Sequence, residues 1–317
     1  MQNSLNFQKR LEVLKKMDQR LSAPFSEKDP EVAQSYQGKV DAVIEDIGKI
    51  KVARGMVVWK LYASSFIVKT PEMVFAVDLC EGPNRNILGG PVSPFCFKQQ
   101  QRRRLARLID CSFHTHHHFD HVSYQMAEEL ARNGRKVIVT PQHLEYWKDV
   151  PFRKRLTVFD GGKNSFKVGT LAVRVHRGWQ SVSPEVQCHA YLITVDGKIS
   201  LLFKGDLFDG DEFSRVLGAW KKNGVRIDLF LSSLWTASGR DIVRETTRLF
   251  DPFFIPAHEW EFTHRKEGQA GVATQSYGQL FAKLKNHVRR GKAAVLMWGE
   301  RLRYDLMSHL DFDLGEK

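Results

Sequence analysis

Cysteine is scarce in this sequence, and the cysteines that occur form no motif. The four, Cys80, Cys96, Cys111 and Cys188, are widely separated, without a C-x-x-C pair. This spacing predicts neither a disulfide framework nor a thiolate zinc site. A reducing, cytoplasmic setting is the compartment that such cysteine usage favours.

Long hydrophobic runs are also missing. The longest, such as AAVLMW at residues 293–298, have the length of a core strand, whereas a membrane-spanning helix needs about 20 apolar residues. The first twenty-one residues interleave basic with apolar side chains, which is not the pattern of a secretory signal. We therefore expect no transmembrane segment.

Negative charge is in deficit, since the 317 residues carry a formal net charge of +12. Such a surplus concentrates anions near the surface, whether phosphate esters, nucleic acid or acidic lipid headgroups. The basic residues are denser at 99–107, 152–155 and 288–292, but no block is long or interleaved with aromatics. A basic solvated surface is therefore the simpler interpretation, with nucleic-acid binding as the alternative.

Residues 1–50 are predicted to form a helical extension that precedes a main domain over 51–317. Apolar residues recur at three- and four-residue steps through residues 4–21, as in an amphipathic helix. Asp29, followed by Pro30, has the signature of a helix start. The apolar stripes are expected to pack on the main domain; an oligomer seam or a membrane-surface contact is the alternative.

The rest of the chain mixes strands and helices. Strand periodicity begins at Gly55 and gives an antiparallel start to a sheet, after which strands and helices alternate. This order predicts an α/β fold in which two sheets are sandwiched by helices. Residues 81–98, rich in proline and glycine, are predicted to form a long loop that covers a functional site.

The densest chemical signal is HTHHHFDH at residues 114–121, in which five of eight residues are histidine. His116 and His118 alternate at the end of a predicted strand and therefore point toward one metal position. The turn into the next helix redirects Asp120 and His121 toward a second, adjacent position. The segment thus predicts a pair of metal sites.

Two adjacent divalent ions need more ligands than one loop supplies, and these include a bridging carboxylate as a rule. His176, Asp206 and His258 each end a later predicted strand. Each of them alone reads as an ordinary structural residue or turn, but their order after the histidine segment makes them ligand candidates.

These motifs resemble those of the metallo-β-lactamase-fold hydrolases. THHHFDH at 115–121 is similar to the signature of that superfamily, FKGD to its bridging-aspartate strand and FIPAH to its last histidine motif. The resemblance covers about residues 55–304 and implies an αββα sandwich. Within the superfamily the pattern is most similar to the branch of ascorbate-phosphate lactonase and N-acyl phosphatidylethanolamine phospholipase D.

The resemblance implies a ligand set. One metal would be held by His116, His118 and His176, with His189 as the rival third histidine. The other metal would be held by Asp120, His121 and His258, with Asp206 between the two. The bridging position is not a cysteine, which argues against β-lactam hydrolysis.

The implied chemistry is hydrolysis by a metal-bridging hydroxide. Two divalent ions, of which Zn²⁺ is the default and Mn²⁺ or Fe²⁺ are the alternatives, lower the pKa of a shared water toward about 7. Asp120 would orient the nucleophile, and His189 or His264 would protonate the leaving group.

Three functions compete. The first is a dinuclear metal-dependent hydrolase of a small anionic ester, either a phosphodiester or a lactone. The second is a nucleic-acid phosphodiesterase, which the basic charge suggests. The third is a metal-bearing binding or scaffold protein without turnover.

Overall fold

Two β-sheets face each other, with helices on their outer sides, in the computed structural model of the chain. The structure describes residues 2–83, 93–159, 164–180, 183–208, 210–234, 241–264, 266, 268–271, 274–305 and 311–313. Half of the predicted covering loop, residues 84–92, lies outside this part of the chain. The prediction of a loop over a site therefore stays a prediction.

The strands alternate with helices, as the sequence predicts. The strands are β1 (Met56–Lys60), β2 (Phe66–Lys69), β3 (Val74–Val77), β4 (Cys111–Phe113), β5 (Lys136–Val139), β6 (Leu156–Val158), β7 (Ser165–Val168), β8 (Leu171–Gln180), β9 (Ser183–Val195), β10 (Ile199–Phe203), β11 (Leu229–Ser233), β12 (Phe253–Ala257), β13 (Arg301–Tyr304) and β14 (Asp311–Asp313). The helices are α1 (Gln2–Leu21), α2 (Pro30–Lys49), α3 (Gln99–Leu108), α4 (Tyr124–Arg132), α5 (Pro141–Tyr146), α6 (Gly210–Lys222), α7 (Ile242–Phe250) and α8 (Tyr277–Arg289).

Both sheets combine antiparallel and parallel pairs. In the described part of the chain the first sheet has the order β14-β13-β1-β2-β3-β4-β5-β6 and the second β12-β11-β10-β9-β8-β7. Strands β3 to β6 are parallel, and so are β10 to β12. Parallel strands end at the same edge of a sheet, which is where open α/β folds place their sites. The segments that follow β3, β4, β10 and β12 meet at this edge.

Alternate residues of each strand enter different cores. Met56 and Val58 face a core between the two sheets, whereas Val57 and Trp59 face the core under the helices. The hairpin between β9 and β10 turns at Asp196 (φ 50°) and Gly197 (φ 66°), both in the left-handed region that Asp and Gly enter more readily than most residues. The predicted sandwich and this hairpin are confirmed.

Helices α1 and α2 pack on the strands and helices that follow them in the chain. Asp29 caps α2 by accepting hydrogen bonds from the backbone N–H of Glu31 (2.8 Å) and Val32 (3.3 Å). The buried face of α2 lies in the same core as Trp59 and the helices, and includes Val32, Tyr36, Val40, Val43, Ile44 and Ile47. In the described part of the chain, this stripe is therefore covered by later segments of the same protein.

Helix α1 is fastened to α8 by one carboxylate. Asp18 accepts hydrogen bonds from the backbone N–H of Tyr277 (2.9 Å) and Gly278 (2.7 Å), the first residues of α8. It also accepts one from the indole Nε1–H of Trp260 at 2.6 Å. Trp260 follows β12 by three residues, so α1 is tied to the segment that carries His258.

Three helices were not anticipated from the sequence, namely α3, α5 and α6. The arginine-rich residues 99–107 form α3, because Gln101, Leu105 and Ala106 make a buried face beneath the charges. Helix α6 follows Asp206 and contacts β8.

The apolar run 293–298 is buried. Within the described residues, its β-bridge is limited to Ala293, which pairs with Phe254 of β12. A short buried run cannot be assigned to a strand by its pattern alone.

None of the described helices combines the length and apolarity needed to cross a bilayer.

Candidate metal centre

The histidine segment forms the loop between β4 and α4. Ser123 ends the loop and caps α4 by accepting a hydrogen bond from the backbone N–H of Met126 (3.2 Å). His116, Asp120 and His121 are buried, whereas His118 is only partly so. The loop therefore presents its polar side chains to the interior of the site and not to bulk water.

His116, His121 and Asp206 form one compact group whose ligand atoms all lie within 4.8 Å of one another. The rings of His116 and His121 are 4.0 Å apart between centroids. The His121 Nε2 atom lies 3.4 Å from Asp206 Oδ2. Residues separated by 90 positions along the chain thus meet at the end of the two sheets.

Asp120, His121 and His258 form a second compact group that shares His121 with the first. The His258 Nε2 atom lies 2.8 Å from Asp120 Oδ2 and 3.4 Å from Asp206 Oδ2. The Asp206 carboxylate is therefore equidistant from the imidazoles of His121 and His258. It lies between the two histidines, and its role as a bridging metal ligand stays a prediction.

The donor set fits divalent ions. Among the described residues, several buried ligand atoms lack a hydrogen-bond partner, including His116 Nε2, both carboxylate oxygens of Asp120, His121 Nε2 and Asp206 Oδ1. Buried polar atoms are hydrogen-bonded in nearly all native structures, so a cluster of exceptions calls for another ligand. Imidazole nitrogen and carboxylate oxygen are ligands for zinc, manganese and iron.

The charges of the cluster point the same way. Burial acts to lower the pKa of His121. The carboxylates of Asp120, Asp206 and Asp78 outweigh burial and raise this pKa to about 10. Burial acts to raise the pKa of Asp120, but His121 and His258 hold it below its usual range. The carboxylates thus demand positive charge, which protons supply in the free chain and divalent ions are able to supply instead.

Asp78, which follows β3, is a site residue that the sequence reasoning missed. Its Oδ2 accepts a hydrogen bond from His121 Nδ1 (2.5 Å) and another from the Thr115 hydroxyl (2.7 Å). Its Oδ1 accepts one from the Thr115 N–H (2.7 Å). A carboxylate on the far nitrogen of a histidine fixes its tautomer and ring orientation, as at many metal sites. The strand-ending aspartate was visible in the sequence, but its partner was not.

Gly205 places Asp206. Its φ is +52°, and a Cβ at this position would lie 2.4 Å from Thr115 Oγ1. A side chain at residue 205 would therefore separate the β10 end from the histidine loop. Gln180 supports the same carboxylate, because its Nε2 donates a hydrogen bond to Asp206 Oδ2 at 3.3 Å.

His176 lies on the face of β8 that is turned toward the histidine loop. Gly178 pairs with Cys188 across the strands, and the Cys188 Sγ lies 3.8 Å from His116 Nδ1. His176, two residues before Gly178, shares that face. A Cβ on Gly178 would lie 3.4 Å from His176 Nε2 and 2.4 Å from Leu207, so the ring lies beside the segment that carries Asp206.

His189 lies on the opposite face of the sheet. It neighbours Cys188 in sequence, pairs with Arg177, and its backbone N–H donates to the Thr115 carbonyl (2.9 Å). Burial and the charge of Arg177 lower the pKa of His189 to about 4. In the described part of the chain, His118, His176 and His189 all stay outside the compact groups of three ligand atoms.

The two remaining histidines of the segment have other partners. The His114 Nδ1–H donates to the His121 carbonyl (3.1 Å), and its Nε2 accepts from the Ser112 hydroxyl (3.0 Å). His114 thus supports the backbone of the loop from behind. His117 stacks on Tyr146 with ring centroids 3.8 Å apart.

His258 follows β12 in a left-handed conformation with φ 71°, which costs a non-glycine residue about 1–3 kcal/mol and is frequent at functional sites. The next residue, Glu259, is fully buried and forms an ion pair of 2.9 Å with Lys60, which is also fully buried. The Lys60 ammonium also donates to the Leu61 carbonyl at 3.0 Å. These contacts stabilise the turn that contains His258. No sequence motif predicts them.

No protein-family model and no curated protein sequence matches this chain. Solved structures do match it. A possible metal-dependent hydrolase from Veillonella parvula is 11% identical, with a TM-score of 0.56 over 80% of this chain and 100% of that one. An isothiocyanate hydrolase from Delia radicum gut bacteria is 12% identical, with a TM-score of 0.54 over 78% and 99%.

A metallo-β-lactamase fold protein from Bacillus subtilis is 13% identical, with a TM-score of 0.51 over 78% of this chain and 98% of that one. At such identities the likeness concerns the backbone architecture. Together with the two facing sheets and their outer helices, it shows that the chain has the metallo-β-lactamase fold.

Proposed function

We propose that this protein is a metal-dependent hydrolase with a dinuclear centre. The observation that carries the proposal is the pair of compact ligand groups that share His121 and flank Asp206. Such an arrangement suits two divalent ions a few ångströms apart, which need a shared carboxylate between them. The similar structures that are named as hydrolases support the reaction type.

The proposed ligands are the seven residues that the sequence motifs selected. His116, His118 and His176 are assigned to the first ion. His176 is preferred to His189 because it shares the face of β8 that adjoins His116 and Asp206, whereas His189 faces the other way. Asp120, His121 and His258 are assigned to the second ion, with Asp206 between the two. We also propose that the chain belongs nearest the lactonase and phospholipase D branch, on its sequence motifs alone.

When bound, divalent ions at such a site supply an activated water near neutral pH and polarise the substrate oxygen. The chain's own residues position this chemistry. Asp120 Oδ1 lacks a hydrogen-bond partner among the described residues, so it is available to orient the attacking water and accept its proton. Asp78 keeps the His121 ring fixed while this happens. Zinc is the proposed metal, with manganese or iron as alternatives.

The proposed substrate is a small anionic ester. The net charge of +12 favours anions near the surface and accelerates their encounter with the site. A cytoplasmic location is part of the same proposal and follows from the cysteine usage. Nucleic acid would need an extended basic groove beside the centre, which the dispersed basic residues do not favour.

The test is elemental analysis of the purified protein together with a substrate panel. We expect close to two divalent ions per chain and hydrolysis of at least one phosphodiester, lactone or thioester. An isothiocyanate and a short RNA complete the panel and separate the competing substrates. Metal-free protein that hydrolyses none of these after reconstitution with zinc, manganese or iron would overturn the proposal.

A further inference from the structure

A buried carboxylate lies three residues beyond His258 and holds a second imidazole. Glu261 is fully buried and accepts a hydrogen bond from His264 Nδ1 at 2.5 Å. It also accepts hydrogen bonds from the His264 backbone N–H (2.9 Å), the Tyr62 hydroxyl (3.1 Å) and the Thr263 N–H. Four donors fix this carboxylate, and the carboxylate in turn fixes the His264 ring.

The ring so held lies at the candidate metal centre. A His264 nitrogen, a Glu261 oxygen and an Asp120 oxygen lie within 4.8 Å of one another. The His264 and His258 rings are 6.0 Å apart between centroids. The His264 side chain is 47% exposed, in contrast to the buried ligands, so a substrate bound at the centre is able to touch it.

These three residues do not make a third metal site. Both Glu261 oxygens already accept hydrogen bonds, and His264 Nδ1 is engaged with one of them. A cation would have to displace four donors from a buried carboxylate, with the cost of leaving them unpaired. The geometry instead matches a base-orienting pair, in which a carboxylate sets the tautomer of a histidine.

We propose that Glu261 and His264 form a proton-donating pair for the leaving group, with His264 as the donor and Glu261 as its positioning residue. This inference rests on the proposed hydrolase function. Since Glu261 holds the Nδ1 edge of the ring, Nε2 is the ring atom left to donate a proton to a substrate bound at the centre. A protein that keeps such a donor acts on esters whose leaving group is an unactivated aliphatic alkoxide.

Water adds to the carbonyl carbon or phosphorus, and the bond from that atom to the leaving oxygen breaks. His264 Nε2 gives its proton to the leaving oxygen, which departs as a neutral alcohol. The proton that the attacking water loses returns to His264 through Asp120 or solvent. No oxidant, reductant or second substrate is needed.

The local electrostatics support this role. The hydrogen bond to Glu261 raises the pKa of His264 above its ordinary value, against partial burial, which lowers it. His189, the other candidate from the sequence, faces away from the centre and has its pKa lowered.

The experiment compares leaving groups. Wild type, His264→Ala, Glu261→Gln and the control His287→Ala, on the outer part of α8, are assayed with a 4-nitrophenyl ester and an alkyl ester of the same acid. The nitrophenolate is stable enough to leave as an anion. The alkoxide is not, and needs a proton from the enzyme in order to leave. We expect His264→Ala to lower kcat on the alkyl ester by about 10²–10⁴-fold and on the nitrophenyl ester by less than about 10-fold.

Glu261→Gln is expected to show the same selective loss to a smaller degree, and His287→Ala to match wild type on both esters. Metal content and the thermal unfolding midpoint are measured for every variant. An equal loss on both esters, or no loss in a folded, metal-loaded His264→Ala protein, would overturn the pair. Failure of wild type on every substrate would instead overturn the hydrolase itself.

Discussion

Gly205 and Thr115 touch at the point where the two ligand-bearing segments meet. Gly205 precedes Asp206, Thr115 precedes His116, and a Cβ on the glycine would lie 2.4 Å from the threonine Oγ1. The Thr115 hydroxyl in turn donates to Asp78, which holds His121. The absence of a side chain at Gly205 therefore allows the two ligand-bearing segments to lie this close together, although Gly205 is not itself a candidate metal ligand.

Replacing this glycine is the first prediction. Gly205→Ala adds a left-handed alanine, which costs about 1–3 kcal/mol, and a steric clash with Thr115. We expect a lower free energy of unfolding and at least about 10-fold weaker metal binding. Mutation of residues that hold metal ligands in place typically lowers metal affinity by about 10–100-fold.

Gly197→Ala is the matched control, because Gly197 has φ +66° with nothing within 4 Å. It carries the backbone strain without the clash. Equal metal affinity in the two variants would show that the contact with Thr115 is irrelevant to the centre.

Asp120→Asn is predicted to abolish turnover while the protein stays folded. The amide has the same shape but neither accepts a proton nor neutralises a cation. We expect a loss in kcat of at least about 100-fold, measured on whichever ester the wild type hydrolyses. Asp41→Asn, at a half-exposed carboxylate 3.9 Å from Arg104, serves as the control. Full activity of the Asp120 variant would contradict the mechanism.

Asp78→Asn is predicted to weaken metal binding without unfolding the chain. Asn tolerates the left-handed backbone of residue 78 (φ 43°), and its amide oxygen still accepts one hydrogen bond. The amide lacks the charge that holds the His121 ring, so affinity should fall by about 10–100-fold in a chelator competition. Unchanged affinity would mean that Asp78 serves the fold alone.

The buried pair of Lys60 and Glu259 is predicted to act as a unit. Lys60→Met or Glu259→Gln alone leaves a buried polar partner and should cost about 3–5 kcal/mol in urea unfolding. The double variant should cost clearly less than the sum. A double-mutant cycle at the exposed pair of Lys49 and Glu45, 2.9 Å apart, is the control. Its coupling free energy is expected to be about 0.5 kcal/mol. Additive losses at Lys60 and Glu259 would refute the coupling.

The sequence predicted the sandwich and several candidate ligands because both leave local signatures. Strand alternation and the Asp29 cap are visible within a few residues, and H-x-H-x-D-H is dense enough to stand out. His258 and Asp206 were chosen because strand ends gather at one edge of a sheet, and the structure does bring both to Asp120 and His121.

What the sequence left open depends on long-range contacts. The choice between His176 and His189 depends on which face of β8 or β9 each occupies, and that depends on register. Asp78, Lys60 and Glu261 each make a long-range contact, with Thr115, Glu259 and Tyr62, over 37, 199 and 199 positions respectively. Helix α3 was missed because its arginines masked a buried face of only three residues.

The single carboxylate of Asp18 joins α1, the start of α8 and the indole of Trp260. Local unfolding of α1 must break all three contacts at once, so the first helix and the turn after β12 belong to one cooperative unit. Amide hydrogen exchange in α1 would then report on the rigidity of a turn more than 200 residues later in the chain. A ligand that orders that turn would slow exchange at the N-terminus without touching it.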